Sequence, residues 1–266
     1  MKWAFLIIVS ACVGFYIPHT FLCSSTNTSV IPSLVESPII IDHSNVTLKN
    51  RSFILGDQAN CPVIIIGNVF GEPITNIVLE NISIDGNRLH QTLEVWKTHA
   101  RGVIMANGCV IQNASNVRLT NVFITSCRSG GLVTTLNSSK IQVDHLTCMD
   151  NKFDGMACYS TVDSVFRHVK LTKNLCAGLS IDSSFDSNVI LDSEISSNST
   201  GIFMRHSSFN TFFGIAFRSN SGQDVFMAQV DRNKNSGCVS NVFIHCATSK
   251  FQIANPGSCI GNSVEN

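Results

Sequence analysis

The chain has 266 residues, and its 18 Lys and Arg balance 18 Asp and Glu, which gives a formal net charge of zero. A protein steered to nucleic acid by a general positive field is therefore disfavoured, and we expect no nucleic-acid partner. Hydrophobic residues make up 44% of the chain, so a sizeable core can be buried and wholesale disorder is excluded.

The N-terminal segment 1–25 has the pattern of a secretory signal peptide, a positive charge followed by an apolar stretch. Pro18 interrupts this stretch too early for a membrane span, and no later segment reaches the ~20 apolar residues of a transmembrane helix. A bacterial lipobox, VSAC ending at Cys12, is an alternative reading. We predict a signal peptide at 1–25, a domain at 26–266, and a secreted or cell-surface location, either periplasmic or extracellular.

A repeat of about 24 residues runs through the rest of the chain. Glycines followed by mostly apolar residues one and three places on recur at intervals of 24, 23 and 23 residues, at Gly131, Gly155, Gly178 and Gly201. A second apolar series, taken at steps of 24, contains Val117, Ile141, Val165, Val189 and Phe213. A third series contains the pairs Val122/Ile124, Leu146/Cys148 and Val169/Leu171. Each unit therefore contains three short runs, which mostly alternate with the period of two typical of β-strands.

Three short strands in one coil cannot pair within that coil, so each must pair in parallel with its counterpart in the next coil. The result is an all-β solenoid of three parallel sheets around one core. Asn151 and Asn174 share one turn position, with Asn198 one place away, and asparagine suits such a turn. A leucine-rich repeat is disfavoured because Ile, Val and Phe dominate and three strand signals recur per unit.

Five segments resemble the pectate-lyase-like superfamily of right-handed parallel β-helix proteins: SNVTLKN (44–50), TNIVLENISIDGNR (75–88), SNVRLTNVFI (115–124), NKFDGMACYS (151–160) and NLCAGLSID (174–182). The resemblance covers roughly 39–255 and implies right-handed winding. That fold carries lyases, hydrolases, epimerases, tailspikes and adhesins, so the activity has to be argued from a site. The expected signatures of polygalacturonases, alginate epimerases and calcium-dependent pectate lyases are absent from this sequence.

Eleven cysteines do not form an evident disulfide framework, because nine remain after the export segment and no CxxC pair occurs. Cys148 and Cys158 occupy repeat positions that otherwise hold Ile, Leu or Met, which predicts buried thiols. One disulfide near the C-terminus stays open, among Cys238, Cys246 and Cys259. We expect no metal ion or other cofactor.

The longest interruption of the repeat is the segment 85–101, which we interpret as an inserted loop after an N-terminal cap at 26–38. It is rich in polar and aromatic side chains, and we select Arg88, His90 and Trp96 as substrate-binding candidates. The alternative is a short amphipathic helix that packs down on the solenoid through Leu89, Leu93 and Trp96.

A row of polar residues four places after the turn glycines is the candidate catalytic site. It contains Tyr159, Asp182 and Arg205, with His206 next to it, and adjacent coils should bring them within hydrogen-bond reach. Arg205 can neutralise a sugar carboxylate, Tyr159 or His206 can transfer a proton, and Asp182 can orient them. The alternative is an ordinary Asp182–Arg205 ion pair on a solvated ladder. Asp154 is a further substrate-binding candidate, or a residue that shapes the turn.

The sequence therefore predicts an exported, single-domain β-helix that engages a polysaccharide. It is either a lyase or epimerase of a uronate polymer or a non-catalytic carbohydrate-binding or adhesive surface module, and a purely structural surface protein is the third alternative. Glycoside hydrolysis, which needs paired carboxylates, is weakly supported by Asp182 with Asp186 or Asp192. Convergence of the candidate catalytic residues in one concave groove would favour an enzyme.

Overall fold

The computed structural model describes residues 31–93, 106–228 and 237–265, so the predicted signal peptide at 1–25 and Trp96 lie outside the described residues. Nearly all regular structure in these ranges is β-strand. The elements are β1 (Ser33–Val35), β2 (Ile39–Ile41), β3 (Thr47–Leu55), β4 (Ile64–Ile66), β5 (Ile74–Asp85), a 3-10 helix (Arg88–His90), β6 (Cys109–Gln112), β7 (Ala114–Thr125), β8 (Leu132–Thr135), β9 (Ser138–Ser139), β10 (Gln142–Met149), β11 (Met156–Val162), β12 (Val165–Thr172), β13 (Ala177–Asp186), β14 (Val189–Leu191), β15 (Glu194–Ser196), β16 (Thr200–Arg205), β17 (Thr211–Phe213), β18 (Ala216–Arg218), β19 (Val225–Ala228), β20 (Val242–Ile244), β21 (Phe251–Ile253) and β22 (Ser263–Glu265).

Every pair of neighbouring strands is parallel, and the strands form three sheets around one core, as predicted. The first sheet has the order β2-β4-β6-β8-β11-β13-β16-β19-β21. The second sheet runs through the first halves of β3, β5, β7, β10 and β12 and continues with β14, β17, β20 and β22. The third sheet begins with β1, uses the second halves of the same long strands, and ends with β15 and β18.

The turn-glycine series is in register. The first residue after each glycine stacks on its counterpart in the next coil, so that one column of the core contains Leu132, Met156, Leu179, Ile202 and Val225. The third apolar series is equally confirmed, because Val122, Leu146 and Val169 are Cα partners. The repeat therefore correctly predicted the fold and the register of two of the three apolar series.

The second series, taken at fixed steps of 24, is in register from Val165 to Val189 but is wrong at the two steps on either side. Val165 pairs with Gln142 rather than with Ile141, and Val189 pairs with Thr211 rather than with Phe213. Because the coils differ in length, a fixed step slips by one residue at Val165 and by two residues at Phe213, and a one-residue slip moves a side chain from one face of the strand to the other. The buried column is instead Val143, Phe166, Ile190, Phe212 and Phe243.

The predicted burial of Cys148 and Cys158 is confirmed, since both side chains are fully buried in the core. All nine cysteines of the described residues are free thiols. The bridge considered among the three C-terminal cysteines is therefore not formed, although the backbone N–H of Cys238 donates to Sγ of Cys259 at 3.3 Å. Burial raises the pKa of the Cys109 and Cys158 thiols to about 12, so both remain protonated at neutral pH.

The predicted N-terminal cap and the inserted loop are partly described. Strand β1 lies within the predicted cap 26–38 and pairs with β3. In the segment 85–101, only Arg88–His90 forms a short 3-10 helix among the described residues, and Leu89 is 84% exposed. Leu89 therefore does not pack on the solenoid as the amphipathic-helix alternative requires, and the part of that alternative that rests on Trp96 lies outside the described residues. Among the described ranges, no helix is long and apolar enough to span a membrane.

Candidate functional site

The outward face of the first sheet carries two columns of side chains, because alternate residues of a strand point to opposite faces. The first column, which we call the inner column, consists of the outward-facing residue that stands in sequence between the two core residues of each strand. It contains Val110, Val133, Ala157, Ser180, Phe203 and Phe226. The polar column follows two residues later and contains Gln112, Thr135, Tyr159, Asp182, Arg205 and Ala228. The candidate catalytic row predicted from the sequence is thus part of the polar column.

Asp182 and Arg205 form an ion pair between neighbouring coils. Nε of Arg205 donates to Oδ2 of Asp182 at 3.0 Å, and a terminal nitrogen of the guanidinium contacts the same oxygen. The side chain of Asp182 is 9% exposed and that of Arg205 is 39% exposed, so the pair is shielded on one side only. The guanidinium also lies 5.3 Å from the ring centroid of Phe203. Arg205 is therefore held in place and already has a carboxylate partner.

Tyr159 is the Cα partner of Asp182 and lies near a second carboxylate, Asp154. Burial, together with the charges of Asp154 and Asp182, raises the pKa of Tyr159 above its ordinary value, so the phenol stays protonated. Burial also raises the pKa of Asp154 to about 6, although the backbone N–H of Ala177 donates to its Oδ1 at 2.8 Å. Tyr159 thus keeps its O–H as a hydrogen-bond donor, and Asp154 can exchange a proton near neutral pH.

Two adjoining clefts form a groove along this face, and we call them the front cleft and the rear cleft. The front cleft has a volume of about 380 Å³ and is lined by Asn107, Ser129, Gly130, Val133, Phe153, Asp154, Ala157 and Tyr159. The rear cleft has a volume of about 330 Å³ and is lined by Phe153, Asp154, Cys176, Ala177, Ser180, Ser199, Thr200 and Phe203. Because Phe153 and Asp154 line both clefts, the two clefts are adjacent, and together they extend across several coils.

Two polar atoms of the front cleft are buried without a hydrogen-bond partner among the described residues: Nδ2 of Asn107 and Oγ of Ser129. The residues are 2% and 1% exposed. Oδ1 of Asn107 accepts a hydrogen bond from the backbone N–H of Gly130 at 2.8 Å, which fixes the direction of the amide. A buried polar atom without a partner is destabilising by about 1–3 kcal/mol, so each such atom calls for a partner such as a bound ligand or water.

The structure brings three of the four candidate catalytic residues together and leaves the fourth apart. Tyr159, Asp182 and Arg205 are neighbours in the polar column. His206 follows Arg205 at a left-handed corner with φ of 42°, where its side chain is exposed. Its backbone carbonyl accepts a hydrogen bond from the N–H of Ser184 at 2.7 Å.

The two described candidates of the inserted loop, Arg88 and His90, do not line the groove. Arg88 donates from Nη1 to the backbone carbonyl of Asp150 at 2.6 Å. His90 lies 2.7 Å from Oδ1 of Asn87 and 3.5 Å from Oδ1 of Asp57. Both side chains therefore hold the start of the loop against the solenoid, and of the predicted substrate-binding residues described, only Asp154 lies in the groove.

The amino-acid sequence alone did not lead us to predict a role for the inner column or for the two unpartnered polar atoms of Asn107 and Ser129. Phe203 and Phe226 stack on the outward face with ring centroids 5.8 Å apart. Their pattern was available, since each stands between two core residues of a repeat unit. Asn107 and Ser129 lie outside the strands, and no periodicity points to them. In the part of the chain that the structure describes, the one cluster of three potential metal ligands lies elsewhere, at the corner between the second and third sheets.

A family model described as a right handed beta helix region matches residues 37–212. The chain belongs to the right-handed β-helix family. This assignment confirms the handedness that the resemblance implied, and the pectate-lyase-like subdivision stays a prediction. None of the curated proteins matches the chain.

Solved structures with this fold are similar to the chain at low sequence identity. PfbA, a surface adhesin of Streptococcus pneumoniae, has a TM-score of 0.61 and 14% identity, with 88% of this chain and 68% of that chain covered. The A-module of a mannuronan C-5 epimerase from Azotobacter vinelandii has a TM-score of 0.51 and 14% identity, with 88% of this chain and 84% of that chain covered. Tailspike protein 2 of an Escherichia coli O157:H7 bacteriophage has a TM-score of 0.51 and 10% identity, with 87% and 38% covered. At these identities the similarity shows the fold alone.

Proposed function

We propose that the protein is an exported β-helix that binds a polysaccharide chain in the groove of the first sheet without cleaving it. The observation that carries this proposal is the pair of buried, unpartnered polar atoms, Nδ2 of Asn107 and Oγ of Ser129, in the wall of the front cleft. A hydroxyl-rich ligand can accept a hydrogen bond from the first and exchange one with the second. The groove would then be incomplete until a sugar occupies it.

The remaining lining suits the two faces of a sugar ring. Val133, Ala157, Phe153 and Phe203 provide an apolar and aromatic floor against which C–H faces can pack. Ser180, Ser199 and Thr200 provide hydroxyl groups for the ring edges. Ligand sites commonly combine an apolar lining with a few polar groups that fix orientation. A groove that crosses several coils fits an extended polymer better than a single small molecule.

The Asp182–Arg205 ion pair favours binding over lyase or epimerase chemistry. In the catalytic hypothesis, Arg205 neutralises the carboxylate of a uronate sugar. Its guanidinium is already bonded to Asp182, whose charge it balances, so a substrate carboxylate has to compete with a buried partner. The remaining donors of Arg205, whose side chain is 39% exposed, stay available for sugar hydroxyls.

A polysaccharide lyase or epimerase is the second candidate, and Asp154 is the observation that favours it. With its pKa near 6, Asp154 can accept a proton at neutral pH, and the protonated Tyr159 lines the same cleft and can donate one. Asp182 would then orient Arg205, and the exposed His206 would act only through a substrate that reaches it.

The names of the structural neighbours agree with a carbohydrate or surface role. One is a surface adhesin, one a mannuronan C-5 epimerase and one a tailspike protein. We therefore extend the proposal to a secreted or cell-surface protein with a polysaccharide partner.

Proton NMR in deuterated buffer separates the two candidates. The full chain is mixed with polymannuronate, polygalacturonate and a neutral glucan in separate samples. Binding alone predicts broadened resonances for one polymer, with no vinylic proton and no deuterium at sugar carbon five. A vinylic signal or deuterium incorporation would replace binding by catalysis. Unchanged spectra for every polymer would overturn both candidates.

The variant Ser129→Ala tests whether the unpartnered hydroxyl serves a ligand. Removing a buried hydroxyl without a partner should leave the free energy of unfolding unchanged or raise it, because no hydrogen bond is lost. Binding of the recognised polymer should weaken roughly 10-fold, since one sugar hydrogen bond disappears. Equal affinity for both proteins would contradict a sugar at this position.

Phe203→Ala and Phe213→Ala form a matched pair for the aromatic floor. Phe203 lines the rear cleft, whereas Phe213 is 36% exposed on the second sheet, away from the groove. Loss of a stacking ring should weaken binding by roughly 10-fold in Phe203→Ala only. Equal loss in both variants would locate the ligand elsewhere.

A further inference from the structure

The corner between the second and third sheets carries a column of residues in left-handed backbone conformation. The long strands bend there, and in chain order the column contains Asn50, Asn81, Asn121, His145, His168, Asp192, Gly214 and His245, with φ between 44° and 65°. The first three members form an amide ladder, in which Nδ2 of Asn81 donates to Asn50 at 2.8 Å and Nδ2 of Asn121 donates to Asn81 at 3.0 Å.

Two histidines continue the column where this asparagine ladder stops. The rings of His145 and His168 lie in neighbouring coils, with centroids 4.6 Å apart and an interplanar angle of 33°. Histidine is not needed for the fold at this place, because asparagine supports the same left-handed conformation in the preceding coils. The change from amide to imidazole adds nitrogen ligands without altering the backbone.

Both imidazoles point at one carboxylate oxygen. Oδ1 of Asp144 lies 3.0 Å from Nδ1 of His145 and 2.7 Å from Nδ1 of His168. One ligand atom from each of the three residues can be chosen so that all lie within 4.8 Å of one another. Ligands around a tetrahedral zinc ion are separated by roughly 3.3 Å, since Zn–N and Zn–O bonds are about 2.0–2.2 Å. A small outward movement of the exposed side chains therefore accommodates an ion.

We propose that Asp144, His145 and His168 form a binding site for a divalent transition-metal ion such as Zn²⁺. Two imidazole nitrogens and one carboxylate are a ligand set suited to Zn²⁺, Ni²⁺ or Cu²⁺ and unsuited to Ca²⁺, which prefers six to eight oxygen ligands. With Nδ1 on the metal, each imidazole carries its proton on Nε2.

The surroundings leave part of the coordination sphere open. Asp144 lines a cleft of about 390 Å³ on the second sheet, together with Arg118, Gln142 and Arg167. Three protein ligands leave at least one position of the ion free for water or for an anionic group of a ligand in this cleft. The neighbouring arginines oppose a cation by charge repulsion, so we expect affinity in the micromolar range rather than the tight binding of a closed structural site.

The test titrates the full chain with Zn²⁺ alone by isothermal titration calorimetry. We expect one ion to bind at this corner, and Co²⁺ alone to give visible d–d bands without the intense charge-transfer band of a thiolate complex, because the ligands are nitrogen and oxygen. Ca²⁺ should not compete. Absence of Zn²⁺ binding by the native protein would overturn the proposal.

Asparagine replaces histidine in the variants, because it already occupies the same left-handed column at Asn50, Asn81 and Asn121. His168→Asn should weaken Zn²⁺ binding at least roughly 10-fold, and the double variant His145→Asn/His168→Asn should abolish it. His245→Asn is the matched control, since His245 occupies the same column with φ of 49° but stands edge-on to Phe213. Circular dichroism melting checks that each variant folds. Unchanged affinity in the double variant, or an equal loss in His245→Asn, would contradict the site.

Discussion

Two kinds of asparagine ladder connect the coils, one exposed and one buried, and the side chain has a different task in each. In the exposed ladders the asparagine itself adopts the left-handed conformation, and its amide bonds to the next amide; their members are Asn45, Asn76, Asn116 and Asn50, Asn81, Asn121. In the buried ladders the amides are at most 2% exposed, except at the last coil, and they also bond to the backbone; their members are Asn151, Asn174, Asn198, Asn220 and Asn188, Asn210, Asn241, Asn262.

In the buried ladders the left-handed residue is the one before the asparagine. Asp150, Lys173, Ser197 and Ser219 have φ of 55°, 58°, 58° and 55°. That corner turns the following amide inward, where it bonds to backbone groups of the preceding coil and donates to the asparagine of the next coil. Asn198, for example, donates to the carbonyl of Leu171 at 2.9 Å and accepts from the N–H of Asn174 at 2.9 Å. The buried amide therefore satisfies backbone groups that water cannot reach.

This contrast between exposed and buried ladders indicates which corners of the solenoid can accept a different side chain. An exposed ladder residue is replaceable by any residue that tolerates the left-handed conformation, because no backbone group depends on its side chain. His145 and His168 are such replacements, and they create the proposed metal site. A buried ladder residue is not replaceable without leaving polar groups unpaired.

Asn174→Ala should have the largest effect, because it breaks a buried ladder in the middle. Oδ1 of Asn174 accepts from the N–H of Asn151 at 3.2 Å and from its amide at 2.9 Å, and Nδ2 donates to the carbonyl of Cys148 at 3.2 Å. Leaving these groups unpaired should lower the free energy of unfolding by about 3 kcal/mol. Guanidinium chloride unfolding followed by circular dichroism measures it. A loss below about 1 kcal/mol would mean that water replaces the amide.

Gly155→Ala tests the same corner by crowding rather than by deletion. A Cβ at Gly155 would lie 2.6 Å from Nδ2 of Asn174 and 2.8 Å from the carbonyl oxygen of Gly178. Because the second contact is with backbone, the coils have to move apart, and we expect a loss of about 2 kcal/mol. Gly257→Ala is the control, since nothing lies within 4 Å of a Cβ there. Equal unfolding midpoints for the two variants would contradict tight packing at the buried ladder.

The sequence predicted the solenoid and the Asp182–Arg205 contact, because both follow from the average period. It did not predict the exact register, since Asn198 is 24 residues from Asn174 but 22 from Asn220. An insertion between coils hides the asparagine ladder for the same reason: Asn81 and Asn121, which are neighbours in space, are 40 residues apart. Asn107 and Ser129 carry the proposed site because they are buried without a partner, and that property exists only in three dimensions.

Asp154→Asn probes the buried corner through pH. Burial raises the pKa of Asp154 in the folded protein to about 6, above the ordinary 3.8, so folding binds a proton between these values. Stability from this group is fully present below about pH 4 and is lost as the pH rises through about 6. Asparagine keeps an oxygen for the N–H of Ala177 and removes the charge, so it should abolish a decline of about 3 kcal/mol.

Denaturant unfolding of Asp154→Asn and of the parent protein from pH 4 to pH 8 measures the decline. Asp163→Asn is the control, because Asp163 is an exposed carboxylate at another corner. This variant should show the same pH dependence of stability as the parent protein. A parent protein whose stability rises between pH 4 and pH 7, or an identical slope in Asp154→Asn, would show that the carboxylate is solvated rather than held in the groove.

Asn81→Gly should have the smallest effect and is the direct counterpart of Asn174→Ala. Glycine retains the left-handed conformation of Asn81, so the variant removes only the two exposed amide bonds to Asn50 and Asn121. Water replaces both partners, and we expect the free energy of unfolding to fall by no more than about 0.5 kcal/mol. Asn81→His should be similarly tolerated, as His145 is in the same column. A loss comparable to that of Asn174→Ala would mean that the exposed ladder also supports the coils, and the histidine column would then carry a stability cost that its proposed metal ion has to offset.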